Sequence, residues 1–343
     1  MSKEQIVSTT IMNRPTAGNP TSRAQGEKIL LEGEDGLFTQ SWFPICLSSD
    51  VPVGTVKGYG FLDGRIIVFR GEDGIANVTS AFCPHLGADL RSGDVVGNTV
   101  RCAFHHWNYD GQGRCVATKI GDTPPPSARL YKFVSQERYG IIWAFNGDDP
   151  HYDLPDFPYP EEELVFRTVV NGEPNDVDPW IQCANTPDMQ HIKALHNITF
   201  TQDDPEDIAW TDHSMVYSFS GIHTDGSPVD NVVGIYGTSL YYQTTDYAGR
   251  WFGFLNPMGM PRAGSSQNYM VLAARRDMGT PEEVERFLDF VEELERGVVS
   301  EDLMVMSSIK FRPGTLTRSD KTLARFFDYM RAYPRAHPSR DFI

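Results

Sequence analysis

The sequence has few cysteines, no long apolar run and no excess of basic residues. Its five cysteines are an odd number spread over 343 residues, which argues against a disulfide framework and favours a reducing compartment. No stretch approaches the roughly 18 apolar residues that a membrane-spanning helix needs. The polar N-terminal stretch lacks the apolar core of a signal peptide. A formal net charge of -16 would repel nucleic acids and anionic membranes. We therefore expect a cytoplasmic protein with neither kind of partner.

Sequence signatures of nucleotide binding and of ferredoxin-type clusters are also missing. No Gly-x-Gly-x-x-Gly motif follows a strand-like run, and Gly58-Tyr59-Gly60 lacks the continuation of that motif. No ferredoxin-type run of four cysteines occurs. The chain is therefore not predicted to oxidise NAD(P)H itself, and reducing equivalents would have to come from a separate protein.

Composition and turn residues divide the chain into three predicted segments. Residues 1–38 are rich in Ser, Thr, Asn, Gly and Pro, which predicts an extended arm. Residues 39–155 hold short apolar runs separated by Asp-Gly pairs, which favour hairpin turns and an all-β domain. In residues 156–343, strand-like runs follow a short helical candidate near 187–196 and precede a long one near 281–296. We therefore expect two domains and an α+β fold class.

The long helical candidate carries its own start signal. Thr280 can cap the helix, Pro281 suits its first turn, and Glu283 completes a capping box. The apolar stripe that follows is predicted to pack on the core, and it comprises Val284, Phe287, Leu288, Val291 and Leu294.

Two short motifs in the all-β segment bring together residues that bind metals. Cys83-Pro84-His85 is followed, after sixteen intervening residues, by a second motif with Cys102 and His105. Thiolates suit zinc and iron–sulfur centres alike. Zinc loops usually pair two cysteines and then two histidines, whereas each loop here offers one of each. A Rieske [2Fe–2S] centre requires this mixture, because two thiolates hold one iron and two imidazoles hold the other. The pattern favours the Rieske cluster over zinc.

A second candidate site lies in the short helical stretch of the following segment. Asp188 and His191 are one helical turn apart and share a face. His196 follows His191 by five residues, which rotates it about 140° away in a regular helix. Both histidines can bind one ion only if the helix is distorted or ends between them. By themselves these residues are more consistent with surface or core histidines than with a metal site.

Together these motifs resemble those of the Rieske-type non-haem iron oxygenases. Residues 83–90 (Cys-Pro-His-Leu-Gly-Ala-Asp-Leu) and 102–110 (Cys-Ala-Phe-His-His-Trp-Asn-Tyr-Asp) are similar to the family's two cluster loops. In the family the second loop commonly reads Cys-Pro-x-His-Gly-Trp, so Ala103 and His106 replace a proline and a glycine. Neither is a ligand position. The resemblance implies an N-terminal all-β Rieske domain and an α+β, helix-grip-like catalytic domain.

The resemblance also implies roles for the second site. His191 and His196 would bind a mononuclear Fe(II), completed by a carboxylate from a later helix, for which Asp302 is the best match and Glu301 the alternative. A 2-His-1-carboxylate site leaves coordination positions open for O₂. Asp188 would link an iron-binding histidine of one chain to His105 of a neighbouring chain, which implies a homotrimer or a multiple of it.

Within the family, the motifs look most similar to the branch that contains aminopyrrolnitrin oxygenase, steroid hydroxylases and demethylases. That similarity implies O₂-dependent monooxygenation of an apolar aromatic or polycyclic molecule, with electrons from a separate reductase and possibly a ferredoxin. The alternative is a Rieske electron-transfer or ligand-sensing module with a non-catalytic hydrophobic-ligand domain. Aromatic candidates for the pocket wall are Phe200, Trp210, Tyr217, Phe219, Tyr236, Tyr241, Trp251 and Phe254.

Overall fold

The N-terminal part of the chain consists of short antiparallel strands. A computed structural model describes residues 27–200, 205, 207–312, 314 and 316–343. The strands of this part are β1 (Phe38–Thr39), β2 (Trp42–Leu47), β3 (Thr55–Phe61), β4 (Gly64–Arg70), β5 (Ala76–Ser80), β6 (Asp94–Val96), β7 (Thr99–Arg101), β8 (Asn108–Asp110), β9 (Cys115–Ala117), β10 (Ser135–Arg138) and β11 (Ile141–Phe145). Within the described residues they form sheets in the orders β10-β11-β2, β3-β4-β5 and β6-β7-β8-β9.

The C-terminal part is dominated by one antiparallel sheet. Its strands are β12 (Leu164–Asn175), β13 (Thr199–Phe200), β14 (Ala209–Trp210), β15 (Ser214–Ile222), β16 (Pro228–Tyr236), β17 (Leu240–Tyr247), β18 (Arg250–Gly259) and β19 (Ser266–Arg275), and the short strand β20 (Arg335–Ala336) pairs with β1. The helices are α1 (Pro179–Cys183), α2 (Met189–Ala194), α3 (Pro281–Met306) and α4 (Lys321–Ala332). The sheet runs β12-β19-β18-β17-β16-β15-β13, with β14 beside β15. The α+β fold class is confirmed.

Strand β19 is covered on both faces, which explains its nearly continuous burial. Because side chains alternate along a strand, Met270 and Leu272 pack on Phe287 of α3. Tyr269 and Val271 belong to the opposite cluster, which also contains Trp143 of β11. The two parts of the chain therefore share a core through this sheet.

Helix α3 begins where the sequence predicts and continues farther. The Thr280 hydroxyl accepts a hydrogen bond from the Glu283 N–H, and the Glu283 carboxylate accepts one from the Thr280 N–H, so the capping box is confirmed. The helix extends to Met306, ten residues beyond the predicted end at residue 296. This extension places residues 301 and 302 on α3, next to the short helix α2.

One predicted segment boundary, between residues 38 and 39, falls inside strand β1 (Phe38–Thr39), and the other lies between two strands. Residue 155 falls between β11 and β12. In the predicted arm, residues 1–26 lie outside the described residues, whereas Ile29 and Glu32 are buried against the rest of the protein. Among the described residues, no helix is both long and apolar enough to span a membrane.

Candidate metal centres and substrate cavity

The two cysteine–histidine motifs form loops with the same hydrogen-bond pattern. In the first, the Cys83 N–H donates to the Ala88 carbonyl and the Gly87 N–H donates to the Cys83 carbonyl, at 2.9 and 2.8 Å. In the second, which joins β7 to β8, the Cys102 N–H donates to Trp107 and the His106 N–H donates to Cys102, at 2.9 and 3.0 Å. The two loops are therefore structural counterparts, each starting at its cysteine.

This correspondence pairs Gly87 with His106. Both residues have a left-handed backbone, with φ of 77° and 54°. Glycine adopts this conformation without the steric penalty that a side chain brings. The family's glycine at the position of His106 is thus explained, and His106 itself is exposed.

The loops bury the thiols and leave the imidazoles near the surface. Cys83 and Cys102 are each 2% exposed, whereas His85 is exposed and His105 is half-buried. Burial raises the pKa of the Cys83 thiol, to which the Tyr109 hydroxyl is hydrogen-bonded at 3.0 Å and beside which Cys102 lies. Two inner sulfurs and two outer nitrogens match the two unlike irons of a Rieske cluster.

Contacts between aromatic rings hold His85 beside His105. The His85 ring stacks on Trp107 with centroids 4.3 Å apart and planes 7° apart, and its centroid is 4.6 Å from that of His105. Among the described residues, the four do not form a group whose ligand atoms converge on a single ion. The mixed thiolate and imidazole donors of the two loops are those that a two-iron Rieske cluster requires.

The second site brings His191, His196 and Asp302 together. Helix α2 ends at Ala194, so His196 lies beyond it and can turn back towards His191. The Nε2 atoms of the two rings are 2.9 Å apart, and Asp302 Oδ1 is 3.1 Å from His191 Nε2 and 3.2 Å from His196 Nε2. Their ligand atoms lie within 4.8 Å of one another. The residues fit a 2-His-1-carboxylate metal site.

The outer nitrogen of each ring has its own partner. His191 Nδ1 is 3.3 Å from the main-chain carbonyl of Asp188, and His196 Nδ1 is 2.9 Å from Glu301 Oε2. Hydrogen bonds of this kind fix the tautomer that leaves Nε2 free for a metal. Of the two acids that the sequence offered, Asp302 lies with the Nε2 atoms and Glu301 lies behind His196.

Electrostatics favour a compact trio. Burial by itself would raise the pKa of Asp302, but the rings of His191 and His196 outweigh it and lower the pKa to about 2. Burial would lower the pKa of His196, but the carboxylates of Asp302 and Glu301 raise it. The trio thus combines an ionised carboxylate with two imidazoles.

Asp188 caps helix α2. Its Oδ1 accepts hydrogen bonds from the N–H groups of Gln190 and His191, at 3.0 and 3.2 Å. The sequence resemblance implied that the Asp188 side chain would accept a hydrogen bond from an iron-binding ring. In the structure, the His191 ring instead faces the carbonyl of the same residue.

A cavity of about 130 Å³ opens beside the trio. Four of the predicted wall residues line it, namely Tyr217, Phe219, Tyr241 and Phe254. The other four pack elsewhere: Phe200 and Trp210 against the core around Trp180, and Tyr236 and Trp251 against the core around Trp143.

Three polar residues of the cavity were missed in the sequence. Asn231, Gln243 and Glu295 line it, and Glu295 is 4% exposed. A signal for Glu295 existed, since it follows Val291 by four residues on the apolar stripe of α3. An acid on such a stripe is unusual unless it is paired or functional.

Comparison with known proteins agrees with the site geometry. Residues 41–126 match the Rieske [2Fe-2S] domain. The chain is 30% identical over 195 residues to cholesterol 7-desaturase of Bombyx mori, an alignment that covers 55% of this chain and 42% of the relative. It is 31% identical over 144 residues to a probable 3-ketosteroid-9-alpha-monooxygenase, oxygenase component, of Rhodococcus rhodochrous, covering 42% of this chain and 34% of the relative. The chain spans less than half of the length of these curated relatives.

Solved structures share the fold over most of the chain. Dicamba monooxygenase bound to dicamba aligns with a TM-score of 0.68 at 19% identity, covering 86% of this chain and 98% of that one. NdmA of Pseudomonas putida CBB5 aligns with a TM-score of 0.61 at 18% identity, covering 85% and 89%. The chain therefore contains a Rieske [2Fe-2S] domain, within a fold that these solved structures share. Its Rieske domain and its named relatives make the chain similar to the Rieske non-haem iron oxygenases.

Proposed function

We propose that the chain is the oxygenase component of a multicomponent Rieske oxygenase. The observation that carries this proposal is the convergence of His191, His196 and Asp302 beside a cavity, in a chain that also has a Rieske domain. Cys83, His85, Cys102 and His105 would hold the [2Fe–2S] cluster, and the trio would hold Fe(II). When bound, these groups supply single electrons and open coordination positions for O₂.

The protein's own residues prepare the second site. The carbonyl of Asp188 and the carboxylate of Glu301 hold the two rings with Nε2 facing Asp302. The largely apolar wall of the cavity binds substrate and excludes water, which strengthens every electrostatic interaction inside it. The chain thus orients both the metal ligands and the molecule to be oxidised.

The reaction we propose is monooxygenation of an apolar aromatic or polycyclic molecule, by hydroxylation, oxidative demethylation or amine oxygenation. Support comes from the aromatic residues in the cavity wall and from relatives whose names refer to cholesterol and ketosteroids. The alternative, a Rieske electron-transfer or ligand-sensing module, does not require an open metal site beside the cavity. The trio therefore favours the oxygenase.

Iron and sulfide analysis of His191→Ala tests the proposal. Each wild-type chain should contain about one iron ion more than the number of its sulfide ions. The variant should contain equal numbers of iron and sulfide ions and keep the visible absorbance of the cluster. Oxygenated product should disappear with the extra iron. Retained turnover in the variant, or zinc in place of iron and sulfide in the wild type, would refute the oxygenase.

We further propose a separate reductase, possibly acting through a ferredoxin, and a homotrimer or a multiple of it. Large apolar side chains surround the outward histidines, with Leu86 67%, Phe104 61% and Ile120 81% exposed. Asp188 is half-buried, and its Oδ2 has no hydrogen-bond partner among the described residues. These features suit contact between Asp188 of one copy and His105 of the next.

Light scattering on Phe104→Asp tests this assembly. The charge should weaken the contact and release monomers, while Val53→Asp, at an equally exposed apolar position (57%), should leave the assembly intact. A wild-type protein that is monomeric at micromolar concentration would exclude the trimer without affecting the assignment of either metal site.

A further inference from the structure

The acid in the cavity is buried without a salt bridge to any described residue. Glu295 lies on α3 and lines the cavity, and the other described residues that line it include neither lysine nor arginine. Among the described residues, no ion pair involves Glu295. An ionised carboxylate in such surroundings is expensive. Burial raises the pKa of Glu295 to about 8, although the Gln243 amide and the His196 ring oppose the shift. The neutral acid, which has one O–H donor, therefore dominates at neutral pH.

A directed chain of hydrogen bonds occupies one oxygen of this acid. The Tyr241 hydroxyl donates to Gln243 Oε1 at 2.7 Å, and Gln243 Nε2 donates to Glu295 Oε1 at 3.0 Å and to Thr245 Oγ1 at 2.8 Å. Thr245 in turn donates to Asn231 Oδ1 at 2.7 Å. Glu295 Oε2 has no hydrogen-bond partner among the described residues. The donor of the neutral acid is thus left for a molecule in the cavity.

Helix geometry sets the distance between this acid and the metal site. Glu295 precedes Asp302 by seven residues, so both lie on the same face of α3, separated by about 10 Å of helix rise. Glu295 and the trio line the same cavity. A fused two-ring molecule can therefore have one end at Glu295 and the other at the trio.

We infer that Glu295 is the specificity-determining residue of the cavity and donates a hydrogen bond to a carbonyl or hydroxyl oxygen at the end of the substrate remote from the trio. The inference rests on the proposed function, because it takes the cavity as the substrate site. It narrows the substrate class to uncharged fused-ring molecules with an oxygen acceptor at one end.

Three probes with one skeleton test the inference: β-tetralone, the parent hydrocarbon tetralin, and the cationic β-aminotetralin. Binding to the metal-loaded protein is measured by equilibrium dialysis without reductase or oxygen. The wild type should bind the ketone roughly fivefold to tenfold more tightly than the hydrocarbon, as one hydrogen bond provides. Glu295→Leu should lose this preference, and Glu295→Gln, which keeps a donor, should stay within about threefold of the wild type.

Equal binding of ketone and hydrocarbon by the wild-type protein would overturn the inference, even if the Leu variant failed to fold. Tighter binding of the amine than of the ketone, abolished in Glu295→Gln, would also overturn it, because it would show an anionic carboxylate. The assay does not depend on turnover. Selective ketone binding by a protein that takes up no mononuclear iron would refute the oxygenase function. It would still support the hydrogen bond from Glu295 to the ligand.

Discussion

Glu301 and Asp302 are neighbours in sequence, yet their carboxylates contact different atoms of one histidine. Successive residues on a helix point about 100° apart, so Asp302 meets the Nε2 atoms while Glu301 reaches His196 Nδ1. One acid is placed to bind metal, and the other holds the ring that binds it. The metal site can therefore require both adjacent acids, Asp302 as a ligand and Glu301 as the hydrogen-bond partner of His196.

Replacement of Glu301 measures this supporting role. In Glu301→Ala, His196 should keep its place near the metal but lose its fixed tautomer, and iron affinity should fall by roughly tenfold to a hundredfold. Chelator competition measures the loss. Glu293→Ala, which removes an exposed acid of the same helix, is the control. Complete loss of the mononuclear iron in Glu301→Ala, with iron retained in Asp302→Ala, would instead make Glu301 the ligand.

The residues that carry chemistry were predictable to different extents. The types and spacing of the cysteines and histidines indicated the cluster loops, because metal ligands are few and distinctive. The role of His191 and His196 as metal ligands was predicted only through the family resemblance. Sequence spacing did not separate Glu301 from Asp302, since the choice depends on how α3 is rotated against α2. Glu295 was missed because the cavity that surrounds it is formed by strands from distant parts of the sequence.

At the scale of elements, the cluster loops show how one backbone pattern tolerates two sequences. Gly87 and His106 occupy the same position in equivalent loops. The left-handed conformation costs about 1 kcal/mol or more for a residue with a side chain. His106 is therefore a local source of strain, in a loop that otherwise holds two candidate ligands.

Exchange of residues at this position tests the strain. His106→Gly should raise the stability of the cluster domain by about 1 kcal/mol, while Gly87→Ala should lower it by a similar amount. A Cβ on Gly87 would meet no atom within 4 Å, so its backbone conformation alone is tested. Bleaching of the cluster absorbance in urea gives both values. Destabilisation by His106→Gly would show that the imidazole makes a contact worth more than the strain.

Helix α3 shows where the sequence was insufficient at this scale. Its start was predictable from the local capping signal of Thr280 and Glu283. Its end was not, because Gly297 and the β-branched Val298 and Val299 weaken helix propensity there. Packing of Val299 on the core of the sheet outweighs that local preference.

At the scale of the whole molecule, the two ends of the described chain meet. Strand β1 pairs with β20, which lies close to the C-terminus. Glu32 accepts hydrogen bonds from the Thr39 N–H and hydroxyl at 2.9 and 2.7 Å, and Arg335 lies 3.8 Å away. Such contacts between residues about 300 positions apart leave no periodic pattern in the sequence. The prediction of an extended arm could not anticipate them.

The charge of Glu32 makes this junction sensitive to pH. Burial raises its pKa from 4.5 to about 7, although Thr39 and Arg335 oppose the shift. The folded chain therefore holds the proton more tightly than the unfolded chain. The contribution of Glu32 to the free energy of unfolding is fully present below the pKa that Glu32 has in the unfolded chain. It is lost as the pH rises towards 7, and the loss is on the order of 3 kcal/mol.

Glu32→Gln should remove this dependence, because its amide keeps an acceptor for Thr39 and cannot ionise. We expect the free energy of unfolding in urea to fall more steeply between pH 4.5 and pH 7 for the wild-type protein than for the variant. Glu72→Gln, at an exposed site in the N-terminal part, should follow the wild-type curve. Since every other titrating group is common to both proteins, the difference between the curves isolates Glu32. Parallel curves would mean that Arg335 keeps Glu32 ionised, so that the two ends are joined by an ion pair throughout this range.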